Sequence, residues 1–308
     1  MTRVAFLGPE GTITGEAVGA LPELADAERV PCSTIPAVVA CVEAGDADVG
    51  LVPIENSIEG TVTRTVDLLA FETDLFVTRE VVQPVDLNLL GHPGGEIREV
   101  LSHPHALAQC RAKIAEIAPE VELVATTSTA QAARDVAEDA VGAGRVAIAS
   151  KYAASLYGLD VLDEDITDYE GGATRFVLLG REIPAITGAD KTSILAFLAQ
   201  DRPGSLLGIL QELAVRGLNL TKLESRPMKG ELGDYFFVID IEGHISDALL
   251  ADALRGLRYR MHDIKFCGSY PRATRYGLFD EQEEEAAWAD AGRWVDALLD
   301  RVTDGDPQ

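Results

Sequence analysis

Apolar and polar positions follow two different rhythms along this chain. In the first 181 residues, short apolar runs typical of β-strands are separated by amphipathic, alanine-rich stretches typical of helices. The predicted strands cover residues 4–8, 49–54, 99–103, 123–127, 145–150 and 175–179, and the clearest helices cover residues 106–118 and 129–140. Because strands that alternate with helices ordinarily form parallel sheets covered by helices, the pattern predicts an α/β fold.

Residues 75–90 do not fit a single central strand. The stretch is long and β-branched, but Pro84 would remove a hydrogen bond from the strand ladder. We therefore predict that the chain crosses between two lobes of one domain, near residues 72–90 and again near residues 165–180. Pro184 and Gly188 then interrupt the pattern, so the first domain is predicted to span residues 1–182.

A different order of elements follows this break. The pattern predicts a strand at 192–199, a helix at 205–216, strands at 219–226 and 235–241, a helix at 246–259 and a strand at 264–268. This βαββαβ order is the ferredoxin-like arrangement, and it predicts a second domain over residues 190–272. From residue 280 to residue 308 there are ten acidic and two basic residues. We therefore predict an acidic helical extension over residues 273–308, with a partner-binding tail as the alternative.

Composition and charge narrow the class of protein. The chain has 308 residues, of which 47% are hydrophobic, and a formal net charge of −25. No apolar run is long enough to cross a membrane, and no basic stripe is available for nucleic acid, so neither is an expected partner. The apolar pattern begins at Val4 without the features of a signal peptide, and the four cysteines lack zinc-ligand spacing. We expect a cytoplasmic protein with reduced thiols and no metal.

Four polar turns follow predicted strands and precede helical stretches. They lie at residues 8–14, 53–62, 102–105 and 127–129. Helix N-termini offer unpaired N–H groups and a partial positive charge, and open α/β sheets bind ligands at the carboxyl ends of their strands. Helix capping alone would explain any one of these turns, but the four together favour a cleft that binds an anion.

Particular segments resemble the signature blocks of prephenate dehydratases, in the order in which that family has them. They are residues 8–12, residues 52–60 with 67–69, residues 103–110 and residues 174–176. Residues 204–207 and 224–227 resemble the two effector-binding motifs of the ACT domain that follows the catalytic domain in this family. The resemblance covers about residues 4 to 272.

The resemblance implies a fold and an activity. The fold is a two-lobed, periplasmic-binding-protein-like (type II) catalytic domain with substrate in its cleft, followed by a ferredoxin-like ACT domain. The activity is the decarboxylating dehydration of prephenate to phenylpyruvate, carbon dioxide and water in phenylalanine biosynthesis, without a metal or organic cofactor. Phenylalanine is the implied effector, and a homodimer or homotetramer is the implied assembly.

Roles for individual residues also follow from the resemblance. Thr174 is expected at the reacting centre, where its hydroxyl would hydrogen-bond to the leaving hydroxyl or relay a proton to it. Glu55 and His103 are candidate acids, although a helix-capping Glu and a structural His are equally ordinary. Arg175 is expected either to hold a carboxylate or to form an interlobe salt bridge. The other substrate-binding candidates are Asn56, Ser57, Thr12, Ser128, Thr129 and Phe176, and the effector-binding candidates are Gly204, Ser205, Leu206, Asn219, Glu224, Ser225 and Arg226.

Two alternatives stay open from the sequence. An arogenate dehydratase performs the same elimination on the amino counterpart of prephenate, and the sequence does not separate the two substrates. A non-catalytic sensor built from a binding module and an ACT module belongs to a different class of protein. The intact Thr174-Arg175-Phe176 block favours an enzyme over a sensor.

Overall fold

The structure is a computed structural model that describes residues 1–168, 171–198, 203–228, 235–261 and 263–273, together with residues 293, 294 and 298. The chain divides into two units, Met1–Ala273 and Thr274–Gln308. Apart from Ala273 and those three residues, the acidic helix predicted at 273–308 lies outside the described residues. None of the described helices is long and apolar enough to cross a membrane.

The first 180 residues form eleven strands and seven α-helices among those described. In chain order they are β1 (Arg3–Leu7), α1 (Ile13–Gly19), β2 (Glu28–Cys32), α2 (Ile35–Ala44), β3 (Val49–Asn56), β4 (Gly60–Thr61), α3 (Thr63–Phe71), β5 (Phe76–Pro84), β6 (Asn88–Gly91), β7 (Glu99–Ser102), α4 (Pro104–Gln109), α5 (Arg111–Ile117), β8 (Glu122–Ala125), α6 (Thr129–Ala137), β9 (Arg145–Ala149), α7 (Lys151–Tyr157), β10 (Asp160–Asp163) and β11 (Ala173–Gly180).

These strands build two separate mixed sheets, which form the cores of two lobes. The first sheet has the order β2-β1-β3-β11-β5, with β4 beside β3, and the second has the order β10-β6-β9-β7-β8. The chain passes from the first sheet to the second between β5 and β6 and returns between β10 and β11. The predicted two-lobed α/β architecture is confirmed. The first lobe combines β1–β5 with β11, whereas the second lobe is one continuous stretch of chain, from β6 to β10, between the two crossovers.

The remaining elements form a second domain with the predicted βαββαβ order. They are β12 (Asp190–Phe197), α8 (Ser205–Ala214), β13 (Leu220–Pro227), β14 (Tyr235–Glu242), α9 (Ala248–Arg260) and β15 (Asp263–Pro271). All pairs in this sheet are antiparallel, in the order β13-β14-β12-β15. The ferredoxin-like prediction for this part of the chain is therefore confirmed.

The two faces of the second-domain sheet are buried against different partners. Ile194 of β12 packs against Ile209 and Leu213 of α8. Its neighbour Leu195 belongs instead to a core shared with Val77 of the first lobe. Because successive side chains of a strand point to opposite faces, one face of the sheet covers its own helices and the other joins the first lobe in one continuous apolar core.

Two local features differ from the sequence pattern. The predicted helix at 106–118 is divided into α4 and α5, because Cys110 leaves helical geometry with φ −114° and ψ 11°. Strand β2 was not predicted because its residues are only partly buried and Pro31 interrupts the apolar run. Both differences lie where tertiary packing, rather than local periodicity, determines the backbone.

Candidate active site

A cleft of about 360 Å³ lies between the two lobes. Its polar lining from the first lobe is Thr12, Thr14, Ser33, Asn56, Glu59 and Thr174, and that from the second lobe is His103, His105, Gln109, Thr127, Ser128 and Thr129. Most of these residues end a strand or begin a helix. The polar turns singled out in the sequence therefore converge on one cavity, as expected for the strand ends of open α/β sheets.

Thr174 and Phe176 both face this cleft from strand β11. They are two residues apart, so they share a face of the strand, whereas Arg175 between them points to the other face. On the neighbouring strand β3, Pro53 and Asn56 line the cleft although their spacing does not match simple alternation. The register explains this, because Arg175 pairs with Glu55 and Phe176 pairs with Pro53, which leaves Ile54 as a bulge.

Asn56 holds Thr174 in place. The side-chain oxygen of Asn56 accepts hydrogen bonds from the backbone N–H of Ile58 at 2.9 Å and of Glu59 at 3.1 Å. This fixes the amide so that its Nδ2 donates to Thr174 Oγ1 at 3.0 Å. Within the part of the chain that the structure describes, no acceptor receives the hydrogen of the Thr174 hydroxyl. That hydrogen is therefore available to a ligand in the cleft.

Glu59 reaches across the cleft from the first lobe to the second. Its carboxylate contacts His105 Nδ1, and Gln109 Nε2 lies 3.5 Å from its Oε1. His105 and Gln109 are four residues apart on α4, so they share one face of that helix. The sequence predicts no individual catalytic or substrate-binding role for Glu59, His105 or Gln109. The i, i+4 spacing was a usable signal, but the partner Glu59 lies far away in sequence.

His103 precedes α4 and serves as its N-cap. Its Nδ1 accepts a long hydrogen bond of 3.4 Å from the His105 N–H. Burial lowers the pKa of His103 below its ordinary value, and the neighbouring His105 acts in the same direction. At neutral pH the ring is therefore uncharged. Since Nδ1 accepts, we assign the proton to Nε2, which makes this histidine a hydrogen-bond donor rather than a cation.

Hydroxyl groups and backbone N–H groups of the cleft are available to bind an anion. Ser128 caps α6 by accepting from the Gln131 N–H at 3.0 Å. In the same way Thr12 accepts from the Gly15 N–H at 3.2 Å, and it donates to the Leu7 carbonyl at 3.1 Å. The Thr12 hydroxyl is therefore used in both directions, whereas the Ser128 hydroxyl accepts in the cap and keeps its hydrogen for donation. The first-turn N–H groups of α6, beginning at Thr129, are left without intrahelical acceptors.

Three predicted site residues do not line the cleft. The Ser57 hydroxyl accepts from the Ala173 N–H at 2.9 Å and closes the end of the β3–β11 pair. Glu55 points toward the second domain, where its carboxylate lies 3.1 Å from Lys222. Arg175 also faces the second domain, where it pairs with Asp240, so this salt bridge joins two domains rather than the two lobes of the predicted alternative.

Arg175 lies at the centre of a buried network between the domains. Its guanidinium donates to Glu80 at 2.7 Å, to Asp240 at 2.7 Å and to the hydroxyl of Tyr270 at 2.9 Å. The Arg175 side chain is 11% exposed, and those of Glu80 and Asp240 are 1% and 4% exposed. Burial alone would raise the pKa of Asp240, but Arg175 and Lys191 hold it below its ordinary value.

The predicted effector residues do not form one pocket within a single chain. Gly204 adopts a left-handed conformation with φ +90° just before Ser205 and Leu206 begin α8, beyond the end of β12. Asn219 lies near the opposite end of the sheet, where its carbonyl accepts from the Glu242 N–H at 2.9 Å. Glu224 and Arg226 face the first lobe, and Ser225 between them is exposed.

Comparison with known proteins agrees with this geometry. A family model for prephenate dehydratase matches residues 4–184, and a model for the ACT domain matches residues 193–258. The chain belongs to the prephenate dehydratase family. The prephenate dehydratase of Amycolatopsis methanolica is 42% identical over 305 residues, which cover 97% of this chain and 98% of that protein.

Two solved structures extend the comparison. Prephenate dehydratase from Arthrobacter aurescens, solved in complex with L-Phe, is 42% identical with a TM-score of 0.82 and covers 97% of this chain and all of that one. A structure described as GqqA, a novel type of quorum quenching acylase, is 33% identical with a TM-score of 0.77 and covers 87% of this chain and 97% of that one. The order of strands and helices described above is therefore that of a solved family.

Proposed function

We propose that this chain is a prephenate dehydratase that converts prephenate to phenylpyruvate, carbon dioxide and water in the interlobe cleft. The observation that carries the proposal is the orientation of Thr174, whose hydroxyl accepts from Asn56 and can donate to a ligand. Thr174 begins the Thr-Arg-Phe block through which the sequence resembles this family. The choice of reaction rests on family membership, and the cleft contains a hydrogen-bond donor, the Thr174 hydroxyl, that the reaction can use.

In this reaction the bond between the ring and its carboxylate breaks as the ring hydroxyl leaves. The electron pair moves into the ring, which becomes aromatic, and the departing oxygen gains a proton to leave as water. We assign Thr174 the task of donating a hydrogen bond to that oxygen as negative charge develops on it. A hydroxyl that accepts one hydrogen bond donates another more strongly, so Asn56 makes Thr174 a better donor.

The substrate carries two carboxylates, and the cleft must bind them without lysine or arginine among its described lining residues. We propose that Thr129 and the first N–H groups of α6 bind one carboxylate, because a helix N-terminus favours negative charge. Uncharged His103 donates a hydrogen bond from Nε2 to another oxygen atom of the substrate. Phe176, Leu87 and the other apolar residues of the cleft contact the ring. Poor solvation of the ring carboxylate there would favour its loss as carbon dioxide.

A turnover assay tests the proposed function. The purified chain is incubated with prephenate, and formation of phenylpyruvate is followed by its ultraviolet absorbance in alkali. A parallel reaction with arogenate, followed by formation of phenylalanine, decides between the two dehydratases. We expect a higher kcat/KM with prephenate. Tight binding of prephenate without conversion would instead support the non-catalytic sensor.

We also infer that phenylalanine is the effector and that the chain forms at least a homodimer. Gly204 and Asn219 lie at opposite ends of the sheet in one chain, so a site that uses both requires a second copy. The Arthrobacter relative was solved with L-Phe, which supports this choice of ligand. Light scattering should show a dimer or tetramer, and calorimetry should show phenylalanine binding; a monomer that binds no phenylalanine would contradict both inferences.

The proposed domain division has a similar basis. Strands β11 and β12 belong to different sheets, and the segment between them supports a boundary at 183–189, between domains at 1–182 and 190–272. Cytoplasmic location remains part of the proposal, since the reaction uses a small soluble metabolite. Limited proteolysis that cuts the chain first within 183–189 would support the division.

A further inference from the structure

The short hairpin of β3 and β4 carries two polar residues that line the cleft, Asn56 and Glu59. Glu55 pairs with Thr61, and Asn56 pairs with Gly60, across this hairpin. Its turn includes Glu59, which reaches His105 in the other lobe. The position of Asn56, and through it the orientation of Thr174, therefore depends on how firmly the two strands of the hairpin are held.

A lysine of the second domain contacts both strands of this hairpin. Lys222 Nζ lies 3.1 Å from Glu55 Oε1 and donates to Thr61 Oγ1 at 2.9 Å. Glu55 and Thr61 are partners in the strand register, so one ammonium group links the hairpin at the pair adjacent to Asn56–Gly60. The Lys222 side chain is 11% exposed, whereas that of its partner Glu55 is 38% exposed.

The hydroxyl of Thr61 is used in both directions. An ammonium group can only donate, so Thr61 accepts from Lys222, and it donates in turn to Glu224. Lys222 and Glu224 are two residues apart on β13, so both side chains point to the face of the sheet that covers the first lobe. Glu224 also belongs to the predicted effector motif. The Thr61 hydroxyl therefore connects that motif to the hairpin of β3 and β4.

We propose that Lys222 is a positioning residue for the dehydratase site, which it serves without touching the substrate. By linking Glu55 to Thr61 it keeps the hairpin closed, so that the Ile58 and Glu59 N–H groups continue to orient the Asn56 amide toward Thr174. The proposal rests on the proposed function, because its effect on turnover requires Thr174 to act in the reaction. A displacement of about 1 Å at a reacting group can lower turnover about 100-fold.

The test compares Lys222→Met with a matched lysine variant in the full-length chain. Lys265 also extends from the second domain to the first, where it donates to the Thr73 carbonyl at 2.5 Å and lies 3.6 Å from Asp74. Neither of these residues lines the cleft. Lys265→Met therefore removes a comparable interdomain contact away from the hairpin. Lys222→Arg, which keeps the charge and the donors, serves as the rescue variant.

Two readouts separate positioning from general destabilisation. Hydrogen exchange of the peptide covering residues 57–60 should be faster in Lys222→Met, close to wild type in Lys222→Arg and unchanged in Lys265→Met, because only the first change releases the hairpin. The kcat for prephenate should fall about 10- to 100-fold in Lys222→Met, with a smaller change in KM. In an Asn56→Ala background the same substitution should cause no further loss, because Lys222 acts through Asn56.

Three results would overturn the proposal. They are unchanged exchange in Lys222→Met, faster exchange with an unchanged kcat, and an equal loss of kcat in the presence and absence of Asn56. A wild-type chain that does not convert prephenate would refute the proposed function instead. The exchange comparison would then still show whether Lys222 orders the hairpin, since that measurement requires no turnover.

Discussion

Asn56 and Thr174 are 118 residues apart in sequence, yet the Asn56 amide donates to the Thr174 hydroxyl at 3.0 Å. They are direct partners in the register of β3 and β11, two strands that contribute residues to the first-lobe side of the cleft. Because the Asn56 oxygen is occupied by two backbone N–H groups, its amide cannot rotate without losing them. This pair therefore determines the direction in which Thr174 can donate.

Thr174→Val should test the donor itself. Valine has nearly the shape of threonine, so the change removes the hydroxyl and keeps the packing. We expect kcat to fall about 10²- to 10⁴-fold, the usual range for a positioned proton-handling group. The half-buried Asn56 amide would lose its acceptor, so unfolding by urea should also show a loss of about 0.5–1.5 kcal/mol. Thr174→Ser, as control, should keep most of the activity; near-normal turnover in the valine variant would refute the assignment.

Asn56→Asp should separate the orientation of Thr174 from the structure of the hairpin. A carboxylate still accepts from the Ile58 and Glu59 N–H groups, but it would also accept the hydrogen that Thr174 offers to the substrate. We expect kcat to fall about 10- to 100-fold, while hydrogen exchange at residues 57–60 stays as in wild type. An unchanged kcat would show that the Asn56 donor has no part in the reaction.

Much of the cleft was predictable because strand ends in an α/β fold meet. Thr12, His103, Ser128 and Thr129 follow strands of parallel pairs and line the cavity as expected. Period-two alternation along a strand also predicts, from the sequence alone, that Thr174 and Arg175 point to opposite faces of the sheet. What the sequence could not show was which face of β11 would be covered by the second domain, and so what Arg175 would contact.

Glu55, Gln109 and the effector residues illustrate three other limits. The bulge at Ile54 shifts the phase of β3, so the direction of Glu55 depends on a register that local sequence does not specify. Gln109 is recognised as a cleft residue only through its contact with Glu59, which lies in the other lobe. Asn219 and Gly204 belong to motifs that lie apart in one chain, and only an assembly could join them. Each limit concerns contacts between segments that are distant in sequence.

The lowered pKa of His103 predicts a pH dependence of stability. Because burial disfavours the charged ring, the unfolded chain binds a proton at higher pH than the folded chain. Stability therefore rises with pH through the window between the folded pKa and the unfolded value near 6.5. It is lost as pH falls through that window. His103→Asn, which keeps a side-chain acceptor for the cap, should show a smaller decrease in Tm between pH 7.5 and pH 5 than wild type. An equal decrease would show that another group causes the effect.

Arg175→Met should reduce stability far more than substrate affinity. The change leaves the carboxylates of Glu80 and Asp240 buried with fewer partners, and removal of one member of a buried ion pair typically costs about 3–5 kcal/mol. Urea unfolding at pH 7 measures this loss. Arg79, which lies on the neighbouring strand β5, is the control. Its ion pair with Glu23 is solvent-exposed, so Arg79→Met should cost at most about 1 kcal/mol.

The same variant decides between the two roles predicted for Arg175. Its guanidinium faces Asp240 and Tyr270 of the second domain rather than the cleft, so the folded fraction of Arg175→Met should bind prephenate with a KM close to that of wild type. A carboxylate-binding arginine would behave differently, because losing a charge-assisted bidentate contact raises KM by about tenfold or more. Measuring KM under conditions where circular dichroism shows a folded variant distinguishes these outcomes. A large rise in KM with little loss of stability would contradict the interdomain role and restore Arg175 as a substrate ligand.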